Sequence, residues 1–147
     1  MSEIFVDTDV VLDLLARREP FYSPAAQLFS LAENRALVLA VSPLTFSNLF
    51  YILRKIGDRK EAIKSLQKLK LLVKILSVSE KAVERALASN FRDFEDAIQY
   101  YTAIENGIHY LITRNTKDYQ QDQIAVLTPQ EFLKIRKVKQ ALKPRRD

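Results

Sequence analysis

The sequence predicts an α/β fold in which a mostly parallel sheet carries helices on both faces. Short apolar runs of strand length alternate with segments of helical periodicity, and strands joined through helices pair in parallel. The chain has 147 residues, enough for one domain with a sizeable core. Hydrophobic residues make up 48% and charged residues 28%, the usual balance of a soluble globular protein. The expected architecture is therefore a three-layer α/β/α sandwich.

The N-terminal part is predicted to form a strand, a turn and two helices. The apolar run 4–6 is interpreted as a buried strand that ends at Asp7. Apolar residues at helical spacing over 10–15 predict a helix, for which Asp7 or Thr8 could serve as the N-cap. A second helix is expected over 22–34.

The middle of the chain is predicted to form two further strands that flank a pair of helices. A buried strand is expected over 36–41, and Ser42-Pro43 is typical of a helix start with proline at the first helical position. That helix is expected to reach about Lys55. The segment 59–72 predicts a basic amphipathic helix, followed by a strand over 73–76.

The C-terminal part continues the alternation of helices and strands. The expected elements are, in order, a helix from Ser79 to about Ala88, a helix from Asp93 or Phe94 to Asn106-Gly107, strands over 109–113 and 124–127, and a final helix that begins at Thr128-Pro129. We predict one domain over residues 1–136 and a basic tail over 137–147.

The charge is unevenly distributed along the chain. The formal net charge is +5, but residues 51–74 carry eight Lys or Arg against two acids, and residues 134–147 carry seven against one. Residues 1–50 and 75–133 carry more acidic than basic side chains. Basic clusters attract nucleic-acid phosphates through counterion release. A solvated helix face and a frayed basic tail are the alternative interpretations of the two basic regions.

Three residue counts exclude whole classes of site. The chain has no cysteine, a single histidine (His109) and only two glycines. Disulfides, thiolate zinc sites, iron–sulfur clusters and glycine-rich phosphate loops are therefore excluded. No apolar run is long enough to span a membrane and the N-terminus does not resemble a signal peptide, so we expect a cytoplasmic protein.

Acids and amides cluster where the predicted strands end or the predicted helices begin. The candidates are Asp7, Asn48, the group Asp93, Glu95 and Asp96, and the pair Asn115 and Asp118. Ligands of open α/β sheets bind outside the carboxyl ends of the strands. Clustered carboxylates repel one another, and a hard divalent cation removes that penalty. All-oxygen ligands favour Mg²⁺ or Mn²⁺, which can activate a water for attack on a phosphodiester.

Each candidate also has a purely structural interpretation. Asp7 could be an N-cap, and Asp96 could be an acid that stabilises the first turn of its helix. Asn115 could be a turn residue, and Asn48 could face solvent from its helix. The functional interpretation depends on the candidates meeting in space.

Four segments, in order, resemble the motifs of the PIN-domain family, the metal-dependent ribonuclease fold of VapC-like toxins. Residues 4–13 (IFVDTDVVLD) resemble its opening strand and turn, and 42–49 (SPLTFSNL) its second motif. Residues 91–99 (FRDFEDAIQ) resemble the third, and 111–119 (LITRNTKDY) the fourth. The resemblance covers roughly residues 3–133 and implies a PIN-like three-layer α/β/α sandwich with a mostly parallel central sheet.

The resemblance also implies roles for individual residues. Asp7, Asp96 and Asp118 would bind the metal, and either Asn115 or Asp118 would reach it from the fourth motif. Asn48 stands where the family usually has a glutamate, so the site has one charge fewer, and Glu95 or Asp93 could take over that role. The supporting residues would be Thr8, Asp9, Asp93, Glu95 and Thr113.

Three functional hypotheses remain open from the sequence. The resemblance implies an Mg²⁺-dependent endoribonuclease that acts on RNA, forms a homodimer and, in the toxin branch, pairs with a cognate antitoxin. Asn48 motivates the alternative of a PIN-like module that binds RNA or protein with weak or no cleavage. A phosphotransfer receiver domain, which also has acids at strand ends, is the weakest, because Arg114-Asn115 and Ser77 stand where it needs other residues.

Overall fold

The computed structural model describes residues 2–119 and 123–142. Within these residues the chain forms five strands and seven α-helices. The strands are β1 (Glu3–Val6), β2 (Val38–Val41), β3 (Val73–Ile75), β4 (Tyr110–Ile112) and β5 (Ala125–Leu127). The helices are α1 (Thr8–Leu15), α2 (Tyr22–Glu33), α3 (Pro43–Ile56), α4 (Arg59–Leu72), α5 (Glu80–Leu87), α6 (Phe94–Glu105) and α7 (Pro129–Ala141).

The five strands form one sheet in the order β3-β2-β1-β4-β5. Every neighbouring pair is parallel, so the prediction of a mostly parallel sheet is confirmed. Following the chain, β2 and then β3 are added on one side of β1, and β4 and then β5 are added on its other side. This reversal leaves a crevice at the carboxyl ends of β1 and β4, where α/β sheets bind ligands.

The strand side chains alternate between two hydrophobic cores, one on each face of the sheet. Ile4 and Val6 of β1 belong to the core shared with α1, α2, α3, α4 and α7. Phe5, between them, belongs to the core shared with α5 and α6. This period-two alternation places a helical layer on each face and confirms the predicted three-layer sandwich.

Several helix starts follow the capping residues read from the sequence. Ser79 Oγ accepts a hydrogen bond from the Ala82 N–H at 3.1 Å, and Thr128 with Glu131 forms a capping box at the start of α7. Ser42 does occupy the N-cap position of α3, but its buried hydroxyl makes no hydrogen bond. A short 3₁₀ turn over Thr116–Asp118 was not anticipated from the sequence.

The C-terminal helix runs across the predicted boundary between the domain and the basic tail. α7 continues to Ala141, beyond residue 136. Residues 143–147 of the tail lie outside the described residues, and the division into domain and tail stays a prediction. In the described part of the chain no helix is both long and apolar enough to cross a membrane.

Candidate active site

Asp7 lies at the end of the central strand, and its carboxylate is held by three donors. Asp7 occupies the N-cap position of α1, yet its side chain makes no capping hydrogen bond. It accepts hydrogen bonds from Gln99 Nε2 at 3.0 Å, Thr113 Oγ1 at 2.9 Å and the Tyr119 hydroxyl at 3.0 Å. The carboxylate is only 8% exposed. The structural interpretation as a simple helix cap is therefore wrong, because the carboxylate faces the crevice.

Asp96 lies beside Asp7, and one tyrosine hydroxyl contacts both carboxylates. The Tyr119 hydroxyl is 3.2 Å from Asp96 Oδ1 and 3.0 Å from Asp7 Oδ2. Burial, then the charge of Asp7, then that of Asp93, raise the pKa of Asp96 to about 7. The meeting of Asp7 and Asp96 expected from the sequence is thus present. Their proximity is costly at neutral pH, and a bound cation would remove the cost.

Asp9 adds a third carboxylate next to Asp7. It accepts a hydrogen bond from the Arg114 backbone N–H at 3.2 Å, and its Oδ2 lies 3.3 Å from the Thr113 hydroxyl oxygen, whose one proton can go to either Asp7 or Asp9. Burial and the charge of Asp7 raise the pKa of Asp9 to about 7. Because the Thr113 hydroxyl contacts both Asp7 and Asp9, these two acids are tied to the end of β4.

The buried carboxylate of Asp13, on the same helix as Asp9, forms an ion pair with Arg114. Arg114 Nη2 donates to Asp13 Oδ1 at 3.1 Å, and its guanidinium lies 4.3 Å from the centre of the Phe21 ring. Arg114 therefore offsets the charge of Asp13, and its charge also acts on Asp9. Among the described residues no Lys or Arg forms an ion pair with Asp7, Asp9 or Asp96. We call these three residues, together with Glu95, the acidic centre.

The second motif reaches the acidic centre through Glu95. Asn48 Nδ2 of α3 donates a hydrogen bond to Glu95 Oε1, so the amide lies against an acid instead of facing solvent. Burial, then the charges of Asp93 and Asp7, raise the pKa of Glu95. Thr8 fixes the neighbouring turn of α3 through a 3.0 Å hydrogen bond between its hydroxyl and that of Thr45. A carboxylate thus lies beside the position where the motif has an amide.

Asp93 is the N-cap of α6, at one of the two residues where the sequence predicts this helix to begin. Its Oδ1 accepts a hydrogen bond from the Asp96 N–H at 3.1 Å. Asp93 therefore orients the helical turn that carries Asp96 and adds its negative charge to that turn.

The fourth-motif residues Asn115 and Asp118 are exposed at the rim of the site. The Asn115 N–H donates to Thr113 Oγ1 at 3.3 Å, while its side chain caps nothing. The charge of Asp118 contributes, as a small cause, to the raised pKa of Asp96. In the described residues no three acidic or histidine side chains form a ready-made metal cage. The assignment of Asp118 or Asn115 to the metal stays a prediction.

Comparison with known families identifies the fold that carries this site. Residues 3–117 match the family model of the PIN domain, and this range includes Asp7, Asn48 and Asp96. The chain belongs to the PIN-domain family. The matched range ends just before Asp118 and Tyr119.

Named PIN-domain relatives cover nearly the whole chain. Ribonuclease VapC1 of Aquifex aeolicus (strain VF5) is 29% identical over 136 residues, which span 89% of this chain and 93% of that protein. A toxin–antitoxin complex from Klebsiella pneumoniae has a chain with a TM-score of 0.63 and 26% identity, covering 86% of this chain and 97% of that one. DNA-bound VapBC from Salmonella typhimurium has a TM-score of 0.68 at 14% identity, covering 88% and 99%, which supports the fold alone.

The donor set of this PIN domain fits a hard divalent cation. Asp7 and Asp96 share one hydroxyl, and the groups around them offer oxygen donors only, apart from the Gln99 amide nitrogen. Mg²⁺ is commonly bound through one or two carboxylates and keeps several waters, so a complete protein cage is not required. Asp7 and Asp96 would hold the ion, with Asp118 as the predicted third ligand.

Two buried residues of the site were not singled out from the sequence as functional. Gln99 is 1% exposed and donates to Asp7, and its Oε1 is buried without a hydrogen bond. The sequence does contain a signal for Gln99, because it follows Asp96 by three residues and so lies on the same side of α6. Tyr119, the last residue of the fourth motif, is also buried, and its hydroxyl contacts both Asp7 and Asp96.

Proposed function

We propose that this PIN domain is a divalent-metal-dependent endoribonuclease and the toxin of a type II toxin–antitoxin pair. The observation that carries the proposal is the placement of Asp7 and Asp96 around one hydroxyl, with the pKa of Asp96 raised by burial and by the charge of Asp7. A divalent cation would relieve the repulsion between the two ionised carboxylates and so favour their ionised forms at neutral pH. The relative named Ribonuclease VapC1 supports RNA as the substrate.

The residues of the chain have distinct parts in the proposed hydrolysis. Asp7 and Asp96 hold Mg²⁺ or Mn²⁺, while Gln99, Thr113 and Tyr119 fix the orientation of the Asp7 carboxylate. When bound, such a cation lowers the pKa of water and offsets charge on the phosphate.

Glu95 takes the place of the motif acid that Asn48 lacks. The Asn48 amide orients Glu95, and burial raises the pKa of this carboxyl, which suits a group that accepts a proton from the attacking water. The alternative of a binding module with no cleavage is therefore less well supported, because the missing charge is supplied from α6.

We propose an antitoxin, RNA and a second copy of the chain as partners, and a cytoplasmic location. Solved relatives include a toxin–antitoxin complex, which supports an antitoxin partner. A basic side chain of the antitoxin would be complementary to the acidic centre and would occupy the position of the cation. The basic regions 51–74 and 134–147 would contact RNA phosphates.

Cleavage of a mixed RNA pool tests the proposed function. The unchanged chain should cleave with Mg²⁺ or Mn²⁺ and stop in EDTA, and Asp7→Asn and Asp96→Asn should each abolish cleavage. Glu84→Gln, at an exposed acid of α5, is the matched control and should cleave normally. Cleavage that persists in both aspartate variants, or in EDTA, would contradict the proposal.

A further inference from the structure

Three aromatic side chains are exposed in the described part of the chain, and two of them lie on α3 and α6 within three residues of Asn48 and Glu95. Phe21 is 38% exposed, Tyr51 66% and Phe94 47%. Phe94 directly precedes Glu95, and Tyr51 follows Asn48 by three residues on α3. The face of Phe21 is covered by the Arg114 guanidinium. Tyr51 and Phe94 therefore offer aromatic surface to a ligand of the site.

Tyr51 continues the face of α3 that points toward the acidic centre. Asn48, Tyr51 and Lys55 are spaced by three and four residues, so they follow one another along one side of the helix. The first of them contacts Glu95. Phe50 packs edge-on against the Tyr51 ring, with centroids 5.6 Å apart and planes at 77°, and so restrains an exposed ring.

Exposed cations accompany both aromatic residues. Arg54 and Lys55 follow Tyr51 on α3, and Arg92 precedes Phe94 by two residues; all three are exposed. A lone exposed aromatic needs no explanation. Aromatic rings interleaved with cations beside an acidic centre have the composition of a surface for single-stranded nucleic acid, where bases stack and phosphates are neutralised.

We propose that Tyr51 and Phe94 stack on unpaired bases of the RNA substrate next to the acidic centre, while Arg54, Lys55 and Arg92 contact its phosphates. This inference rests on the proposed function for RNA as the ligand and adds which side chains of the chain contact its bases and its phosphates. A base stacks on a side chain only when it is displaced from the duplex. Duplex RNA should therefore bind more weakly than a single strand of the same length.

The test measures RNA binding in EDTA, where no cleavage occurs. The probes are a short fluorescein-labelled oligoadenylate and an abasic ribose-phosphate strand of equal length, followed by fluorescence anisotropy. Tyr51→Ala should weaken oligoadenylate binding about tenfold, and Phe94→Ala should act in the same direction. Tyr51→Phe keeps the ring and should bind normally. Neither alanine variant should change binding of the abasic strand.

Leu87→Ala is the control for loss of exposed apolar surface, because Leu87 is 70% exposed on α5. It should leave both affinities unchanged. Equal oligoadenylate binding by the unchanged chain, Tyr51→Ala and Phe94→Ala, or an equal loss for the abasic strand, would overturn the inference. A shift of Tyr51→Ala to a smaller oligomer in size-exclusion chromatography with light scattering would also overturn it, since the ring would then cover a second copy.

The same variants separate this inference from the proposed function. Cleavage by the unchanged chain together with ring-independent binding would refute the stacking role alone. Ring-dependent binding without metal-dependent cleavage would refute the ribonuclease assignment and leave the stacking surface intact.

Discussion

At the scale of single residues, the site depends on how one hydroxyl is shared. Tyr119 is 5% exposed and has a single proton, yet the carboxylates of Asp7 and Asp96 both lie within hydrogen-bond distance of its oxygen. At any moment it can donate to only one of them. Burial, then the charges of Asp7 and Asp96, raise the pKa of Tyr119, so the phenol stays protonated.

Removing that hydroxyl should destabilise the metal-free chain. We expect Tyr119→Phe to lower the free energy of unfolding by about 1–3 kcal/mol in EDTA, because a buried hydrogen bond to a charged group is lost. Mg²⁺ should restore part of the lost free energy of unfolding, because a bound cation also offsets the repulsion between the carboxylates of Asp7 and Asp96. Denaturant unfolding with and without Mg²⁺ measures both effects. Tyr110→Phe is the control, since its hydroxyl contacts the exposed Lys139, and an equal loss there would refute the expectation.

The raised pKa of Asp96 should make metal-free stability depend on pH. Its folded pKa of about 7 lies above the ordinary 3.8, so between these values the folded chain binds more protons than the unfolded chain. This group therefore destabilises the fold progressively as pH rises through that window. Asp96→Asn should have a thermal unfolding midpoint that exceeds that of the unchanged chain by a margin that grows across the window and is largest above it.

Thermal unfolding in EDTA over a pH series measures this margin. Asp7→Asn is the informative comparison, because its carboxylate oxygens accept from Gln99, Thr113 and Tyr119. An amide nitrogen in place of one oxygen would face donors, so this variant should unfold at a lower temperature. A margin for Asp96→Asn that shrinks with rising pH would show that ionisation of Asp96 does not destabilise the fold.

At the scale of elements, the site is assembled where α3 and α6 approach the ends of β1 and β4. The Asn48–Glu95 hydrogen bond joins the two helices, which belong to opposite faces of the sheet. This junction explains how a chain with an amide in the second motif can still present an acid at that place.

Restoring an acid at position 48 should strengthen cation binding at the cost of metal-free stability. In Asn48→Glu the new carboxylate would lie against Glu95, so we expect a lower unfolding midpoint in EDTA and a Mn²⁺ dissociation constant reduced severalfold. Calorimetric titration with Mn²⁺ measures the affinity. Gln67→Glu makes the same amide-to-acid change at an exposed position of α4. This control should change neither the unfolding midpoint in EDTA nor the Mn²⁺ dissociation constant. Unchanged Mn²⁺ affinity in Asn48→Glu would place residue 48 outside the reach of the ion.

The elements of the fold were largely predictable from the sequence, whereas the contacts in the site were predictable only in part. Apolar periodicity and caps such as Ser79 located every strand and α-helix of the described residues, with ends that differ by a few residues. Asp7 and Asp96 were expected to meet because one ends a strand, the other begins a helix, and both stand in motifs that resemble those of the PIN-domain family. Gln99 and the Tyr119 hydroxyl were missed, since their role depends on which way a buried side chain turns.

At the scale of the whole molecule, the charge pattern separates a negative centre from positive surroundings. α4 carries Lys60, Lys64 and Lys68, all exposed and spaced by one helical turn each, and it packs on α3. Such a row can neutralise successive phosphates, which makes binding depend steeply on salt.

Neutralising this row should flatten the salt dependence of RNA binding. Replacing Lys60, Lys64 and Lys68 by Gln should weaken binding and reduce the slope of log K against log salt by about 2. Anisotropy titrations at several salt concentrations measure the slope. Lys81→Gln is the control, because Lys81 already lies 3.8 Å from Glu105. An unchanged slope in the triple variant would show that α4 is only a solvated face.

The division of the helices between the two faces of the sheet has a consequence for distant substitutions. Asp7 is anchored to the central strand, and Asp96 to a helix that packs in the α5–α6 layer. The distance between the carboxylates of Asp7 and Asp96 therefore depends on how the α5–α6 layer packs against the sheet. Larger side chains at Ala82 or Ala86, which are buried on α5 and lie outside the acidic centre, would shift this layer and change the affinity for a cation without replacing a proposed ligand.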